Sequence, residues 1–275
     1  MASESLRLID YVINSGVDML RVMTFTLFCL MTTFALAENR RVVNLTAGNY
    51  PPYQAENLKH YGVVSRIVVE AFALEGIDVK FHFMSWKRAY GYILRGELDG
   101  VGYATKKAER LAHFYYSEPV FQKTRVFFHL KSRPFDWSSM ADLAGYRIGA
   151  MQGYAYSDEF DQADQNGDIT TERVLSHAQN MTKLLRGNRL DIVLTTIDQG
   201  FYALHLTHPE EVDRVTYHPK HVQNPDMYLM ISKKVADGAL LVEKFNRGLA
   251  TLRAEGKIAQ YFAESQRGEY IIEAE

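Results

Sequence analysis

A guanidinium, a hydroxyl and a few aromatic rings stand out as groups able to hold a small anion. In "ELDGVGYATKKAERLAHFYYSEP" (Glu97–Pro119), a short apolar strand runs up to Thr105, and Arg110 follows five residues later. Arginine presents a planar fork that matches a carboxylate through two parallel hydrogen bonds, and Thr105 offers a further donor. The plainer reading of Arg110 is a solvated surface arginine paired with Glu109 or Glu118. Tyr50 and Tyr53 straddle Pro51-Pro52 in an early loop, and Trp86 stands at a helix start. Rings in such places can sandwich the apolar part of a small ligand, although Trp86 could equally anchor its helix in a core. Gly153 interrupts a strand just ahead of a helix start, a place where backbone N–H groups are bared toward an anion or simply make a turn.

These groups need a scaffold that gathers loop ends. "RRVVNLTAG" alternates and runs into "NYPPYQ", a strand ending in a stiffened loop. Val64, Ile67, Val68, Ala71 and Leu74 recur at helical spacing, and Gly76 closes that segment. "DVKFHFM" alternates as a strand; Ser85 caps a helix that stops at Gly96; "LDGVGYA" is the next strand. The order β-α-β-α-β implies an α/β protein with a largely parallel sheet covered on both faces. In such sheets ligands sit outside the carboxyl ends of the strands, where Thr105 and Arg110 fall. The pattern returns: "DLAGYRIGAMQG" is a turn and strand, Ser157-Asp158-Glu159 opens a helix, "HAQNMTKLLRG" is a helix stopped by Gly187, and "LDIVLTT" is a strand. "ILRGELDGV" and "LLRGNRLDIV" share a helix stop followed by an Asp-bearing strand, which points to two similar lobes. "ALLVEKFNRGLATLRAEGKIAQYF" reads as one long amphipathic helix, and the lobes must be joined by extended segments near "FQKTRVFFHL" and "HVQNPDMYLMIS".

The chain of 275 residues is 47% hydrophobic and 23% charged, which excludes a disordered or multi-span membrane protein. A net charge of −2 gives no basic surface for nucleic acid. Cys29 is the only cysteine, so neither a disulfide framework nor a cysteine zinc site is possible. The histidine pairs "HLTH" (His205, His208) and "HPKH" (His218, His221) have a spacing that suits a metal on a helix but no completing ligand set, so no metal is assigned. No nucleophile elbow, P-loop, dinucleotide glycine triplet or H-E-x-x-H occurs, and no cofactor is implied. Arg21, the apolar run "VMTFTLFCLMTTF" and Ala35-Leu36-Ala37 read as a secretory signal cleaved after Ala37, with the start codon at Met1, Met19 or Met23; the expected location is the periplasm. The mature product is near neutral and cysteine-free.

Six motifs in order carry a resemblance to the extracytoplasmic solute-binding proteins of family 3, which serve polar amino-acid ABC transporters. They are "TAGNYPPYQ", "GVVSRIVVEAFALEG", "SWKRAYGYILRGELDGV", "T…ER…YSEP", "DLAGYRIGAMQG" and "TLRAEGKIAQYF", and the resemblance covers nearly everything from Arg41 to Glu264. The resemblance implies a two-lobed, periplasmic-binding-protein-like type II fold with two crossover strands as hinge. Residues 38–123 and 225–275 would form lobe 1 and residues 124–224 lobe 2, after removal of 1–37. It further implies that Tyr50 and Trp86 flank the ligand, with Tyr53 beside them. Thr105 and Arg110 would clamp a carboxylate, and Gly153 and Tyr154 would close on the same group from the second lobe. Thr196 occupies the position where amino-acid binders carry the acid that receives the ammonium group, and Asp198 lies two residues beyond. A carboxylate ligand is therefore the safer expectation than an α-amino acid, since a buried ammonium without an acid is costly. The expected product is a monomer that delivers its ligand to membrane subunits of an ABC transporter and is not an enzyme. The alternatives are a cyclodehydratase acting on prephenate- or arogenate-like acids, with Glu118 or Glu159 as general acid, and a stand-alone sensory domain.

Overall fold

The computed structural model describes residues 40–186 and 189–272. The signal sequence over 1–37 and the Gly187 helix stop fall outside the described residues. Among those described, no helix is long and apolar enough to cross a membrane.

The opening β-α-β-α-β run forms as the spacing requires: β1 (Val42–Ala47), α1 (Val63–Ala73), β2 (Asp78–Phe83), α2 (Trp86–Arg95) and β3 (Gly100–Ala104). Ser85 occupies the N-cap of α2 in an extended conformation, and Gly96 ends that helix at φ 77°, a left-handed conformation that glycine adopts without strain. The chain continues through β4 (Phe114–Gln122) and crosses to β5 (Arg125–Leu130). The second unit repeats the pattern: β6 (Arg147–Met151), α3 (Asp158–Asn166), β7 (Thr170–Val174), α4 (His177–Leu185), β8 (Ile192–Thr196) and α5 (Ile197–Thr207). Ser157 caps α3 by accepting the Phe160 N–H. After β9 (Val215–Tyr217) the chain returns as β10 (Asp226–Ser232), α6 (Gly238–Ala254) and α7 (Lys257–Gln266).

Two five-stranded sheets result, ordered β2-β1-β3-β10-β4 and β7-β6-β8-β5-β9. In each, three strands run parallel and the strand arriving from the other unit enters antiparallel, so the sheets are mixed rather than largely parallel. The shared Asp-strand motif has the same use in both. Asp99 accepts the Asn44 N–H in β1 at 2.6 Å, and Asp191 accepts the Arg147 N–H in β6 at 2.9 Å. Each sheet is covered on both faces. Phe72, Phe245 and Leu249 pack on one side of the first, and Ile93, Phe114 and Met230 on the other. The second lies between a cluster around Trp137, Leu143 and Phe160 and one around Met181, Leu184 and Leu204. The terminal segment is two helices, not one long one, because Gly256 turns left-handed at φ 71° between α6 and α7.

The two crossovers are hydrogen-bonded to each other. Lys123 N donates to Pro225 O at 2.9 Å, Arg125 N to Gln223 O at 2.7 Å, and the Thr124 hydroxyl reaches the Asn224 side chain at 2.7 Å. A pair of strands stitched in this way can twist without losing its bonds, which suits a hinge.

Helices α1 and α6 cross closely at Gly248, where an added Cβ would lie 2.0 Å from the Ala71 carbonyl oxygen. Gly248→Ala must therefore push the helices apart. Overpacking against backbone is expected at the upper end of about 1–3 kcal/mol, exceeding the roughly 1 kcal/mol that alanine gains in helix propensity. A lowered urea midpoint with an unchanged m-value is the expected observation.

Candidate functional site

Thr105 follows β3 directly, and Arg110 closes a single 3-10 turn over Ala108–Arg110. That turn swings the guanidinium back over α2, where its carbon lies 5.1 Å from the Trp86 ring centroid and 5.6 Å from that of Tyr90. Such stacking holds a guanidinium by its faces and leaves its edge free to donate. Nη1 makes one long contact, 3.4 Å, to the Thr105 carbonyl. Neither suggested acid pairs with it: Glu109 lies beside Lys107 at 4.0 Å, and Glu118 is exposed on β4.

Arg110, Thr105, Trp86 and Tyr50 line one cavity of about 340 Å³, together with Gln54, Tyr103 and Lys123. A second cavity, of about 260 Å³, lies against β6, α4 and α5; Tyr154, His177 and Gln199 line it, and Tyr50 belongs to both. A larger hollow of about 610 Å³ on the outer face of the first unit is lined by Arg66 and Glu70. Its arginine is already paired, to Glu70 at 2.9 Å and to Glu264 at 2.7 Å. Functional weight therefore falls on the two cavities that share Tyr50.

Tyr53 and Thr196 do not line either cavity. Tyr53 is fully buried, and its hydroxyl lies 2.9 Å from Thr196 Oγ1 and 3.1 Å from Asp198 Oδ2. Thr196 caps α5 by accepting the Gln199 N–H at 3.2 Å. Asp198 is buried and also accepts from Gln266 Nε2 at 3.0 Å. Burial raises its pKa, against the lowering pull of Gln266, Tyr53 and Lys123. The carboxylate ties Tyr53 of the first unit, the start of α5 and the end of α7 together, and it lines neither cavity.

Gly153 sits at φ 74° in the turn after β6, with open space where a Cβ would stand. Arg173 takes the carbonyls of Met151 and Tyr154 at 3.2 and 3.1 Å, which fixes this turn from behind. Tyr154 is partly exposed, with its ring 6.0 Å from that of His177.

Three further groups complete the site. Burial, helped by Arg125, brings the Lys123 ammonium down to about 8. Gln54 is almost fully buried, and its Nε2 has no hydrogen-bond acceptor among the described residues. His177 shares a 3.0 Å hydrogen bond with Thr195 through Nδ1, while its buried Nε2 lacks a partner. Burial first, then Lys123 and Arg125, lower His177 to about 4, so it is neutral at ordinary pH. The sequence signal for Lys123 was present: two cations flank Thr124 in the crossover "FQKTRV". Gln54 and His177 carried no local signal.

His177 titrates near 6.5 when unfolded and about 4 when folded, so the unfolded chain binds its proton first as pH falls. Stability should drop by on the order of 2 kcal/mol between pH 6.5 and 4 through this group. His177→Gln should show a correspondingly shallower loss when urea unfolding is compared at pH 7 and pH 4.5.

Of the paired histidines, His205 donates to Gln266 O at 2.9 Å and His218 meets Asp136 at 2.9 Å. Ligand atoms of His208, Glu210 and Glu211 come within 4.8 Å of one another. Glu211 already pairs with Arg214, and His208 Nε2 lies 2.8 Å from the Thr182 hydroxyl. Glu118 and Glu159 are exposed and line neither cavity.

A search of curated proteins found no match. Among solved structures, the second substrate-binding domain of Lactococcus lactis GlnP in its open conformation superposes with TM-score 0.66 at 18% identity, covering 86% of this chain and 97% of that one. The unliganded, open L-cystine solute receptor of Neisseria gonorrhoeae gives 0.65 at 20% identity, covering 86% and 97%. AbpA of Streptococcus pneumoniae, an amino-acid ABC transporter substrate-binding protein bound to L-arginine, gives 0.56 at 16% identity, covering 87% and 99%. These likenesses establish a two-lobed binding-protein fold; the family and these relatives are non-enzymatic solute-binding proteins. A family profile matches residues 42–264, and the chain thus belongs to the bacterial extracellular solute-binding proteins, family 3.

Proposed function

We propose that the protein is a periplasmic receptor that captures a small carboxylate in the cleft between its lobes and closes over it. The observation that carries this reading is a guanidinium, Arg110, stacked on Trp86 and Tyr90 in the lining of a cavity, with no salt bridge to an acid among the described residues. The guanidinium is only partly buried, so it keeps its charge in the open cleft, and a ligand carboxylate would supply the opposite charge when the cleft closes around it. Lobe 1 comprises residues 38–123 and 225–275, and lobe 2 residues 124–224. Arg110 and Thr105 take the carboxylate, and Tyr50 and Trp86 pack the ligand body. Rotation at the Lys123–Arg125 and Gln223–Pro225 crossovers then brings the N–H groups near Gly153, and Tyr154, onto it. Cleavage after Ala37, a monomeric state and hand-over to ABC transporter membrane subunits belong to the same reading. Support comes from the relatives, one of which is an L-cystine solute receptor and another an amino-acid ABC transporter substrate-binding protein.

The test is a thermal-shift panel of small carboxylates and amino acids, followed by small-angle scattering of any hit. A ligand that binds only the native state raises the melting temperature, and closure reduces the radius of gyration. A panel in which no compound moves either quantity would overturn the proposal.

A further inference from the structure

The cavity that holds Arg110 has donors and cations but no acid. Its other charged lining groups are Lys107 and Lys123, and neither it nor the cavity beyond Tyr50 is lined by an aspartate or glutamate. Asp198, the carboxylate nearest in sequence to the usual ammonium seat, is buried and bonded to Tyr53 and Gln266. Aromatic faces could replace an acid as a seat for a cation, but the protein's own cations already occupy several. Arg110 lies over Trp86, Lys123 over Tyr53 at 5.5 Å, and Arg125 over Tyr156 at 5.2 Å. Asp198 is a carboxylate that acts on Lys123 through space, yet it lines neither cavity, and Gln54 Nε2 is a buried donor with no acceptor among the described residues.

We infer that the ligand carries two negatively charged groups and no ammonium, one group on Arg110 and Thr105 and the second on Lys123 and Gln54 at the hinge end of the cavity. This rests on the reading of the protein as a carboxylate receptor and deepens it. Glutamate and glutarate differ only in the ammonium group, as do aspartate and succinate. An ammonium entering this cavity would be desolvated beside Arg110 and Lys123 with no aspartate or glutamate lining the cavity to receive it. The second anionic group, in contrast, supplies Lys123 with the opposite charge that offsets its burial and its repulsion by Arg125. Around Lys123 the groups that respond to pH are Arg125 on β5, Asp198 on α5, His177 on α4, and Tyr53 and Tyr103 from the first lobe. Lys123, brought down to about 8, changes charge between pH 7 and 9.5, whereas His177 is neutral above pH 5 and burial raises both phenols.

The experiment is calorimetric titration of the full protein with succinate, glutarate and 3-phosphonopropionate, against aspartate, glutamate, glutamine, arginine and butyrate. Wild type, Lys123→Met and Lys123→Arg are compared at pH 7 and pH 9.5. At least one dianion should bind 30-fold or more tightly than its amino-substituted counterpart and than butyrate. Lys123→Met should weaken that dianion about 100-fold and change butyrate by less than about threefold, within the range seen when one member of a buried charged pair is removed. Affinity for the dianion should fall between pH 7 and 9.5 in wild type and stay level in Lys123→Arg, because a guanidinium keeps its proton. An amino acid that binds more tightly than every dianion, and is lost in Arg110→Ala, overturns the inference while leaving the carboxylate receptor intact. Dianion affinity unchanged in Lys123→Met also overturns it, since the second seat would then lie elsewhere. If no compound of either class binds, this inference and the receptor reading fall together.

Discussion

Arg110→Ala should remove ligand binding and leave the fold in place. The guanidinium forms no salt bridge with a described residue, so its loss does not strand a buried acid. What the empty protein loses is stacking on Trp86 and Tyr90, worth about 1 kcal/mol or less at a partly exposed site. A closed cleft is a different environment. There the ligand carboxylate would be sealed from water, and deleting its partner leaves a charge uncompensated at about 3–5 kcal/mol. Each 1.4 kcal/mol is a factor of ten, so affinity should weaken roughly 100- to 5,000-fold. Melting of the empty variant close to wild type, together with a flat titration against any compound that shifts wild type, is the expected pair of results. Arg110→Lys sharpens the experiment. It keeps the charge but loses the fork and the stacked plane, and should recover only part of the affinity. Wild-type affinity in Arg110→Ala would remove the basis of the site.

Lys123→Met should make the empty protein more stable while impairing its function. The folded environment lowers the ammonium from 10.5 to about 8, mainly through burial and then through Arg125. Below pH 8 the group is charged in both states, and the folded state carries the full penalty of desolvating it. Between pH 8 and 10.5 the folded protein sheds this proton while the unfolded chain keeps it, and the penalty fades. At pH 7 the substitution should therefore raise stability by on the order of 2 kcal/mol, after allowance for partial exposure. Near pH 10.5 the difference between variant and wild type should largely vanish. Urea unfolding at the two pH values reads this directly, and comparing variant with wild type cancels the titration of other groups. A variant less stable than wild type at pH 7 would mean that Lys123 has a stabilising role in the empty protein. Gains of this kind at ligand-contacting positions are the usual sign that a site is held ready at some expense to the fold.

The sequence by itself determined the order of elements and most of their ends. Helical spacing from Val64 to Leu74, alternation in "DVKFHFM", the Ser157 cap and the Gly96 stop depend on neighbours within a turn or two, and such signals are written locally. The repeated Asp after Leu-Arg-Gly likewise marked two equivalent sheets, because Asp99 and Asp191 each hold the N–H of an adjacent parallel strand. That Arg110 lines a cavity was legible from its place beyond a strand end. Only the tertiary structure decided which residues share its cavity. Tyr53 and Thr196 looked like contact residues in sequence, but the Tyr53 hydroxyl meets both Thr196 and Asp198 in the interior, and Gln266 from the far end of the chain donates to the same carboxylate. Lys123 joins Arg110 because the crossover strand passes beneath the loop after β3, and its lowered proton affinity comes from burial that no local pattern records. The break at Gly256 was also a tertiary decision: the residue is tolerated within a helical pattern, and the need for α7 to turn and dock on α5 selects its left-handed conformation. Local periodicity specifies elements, whereas charge, burial and vacancy at a site are sums over residues that meet only after the chain has folded.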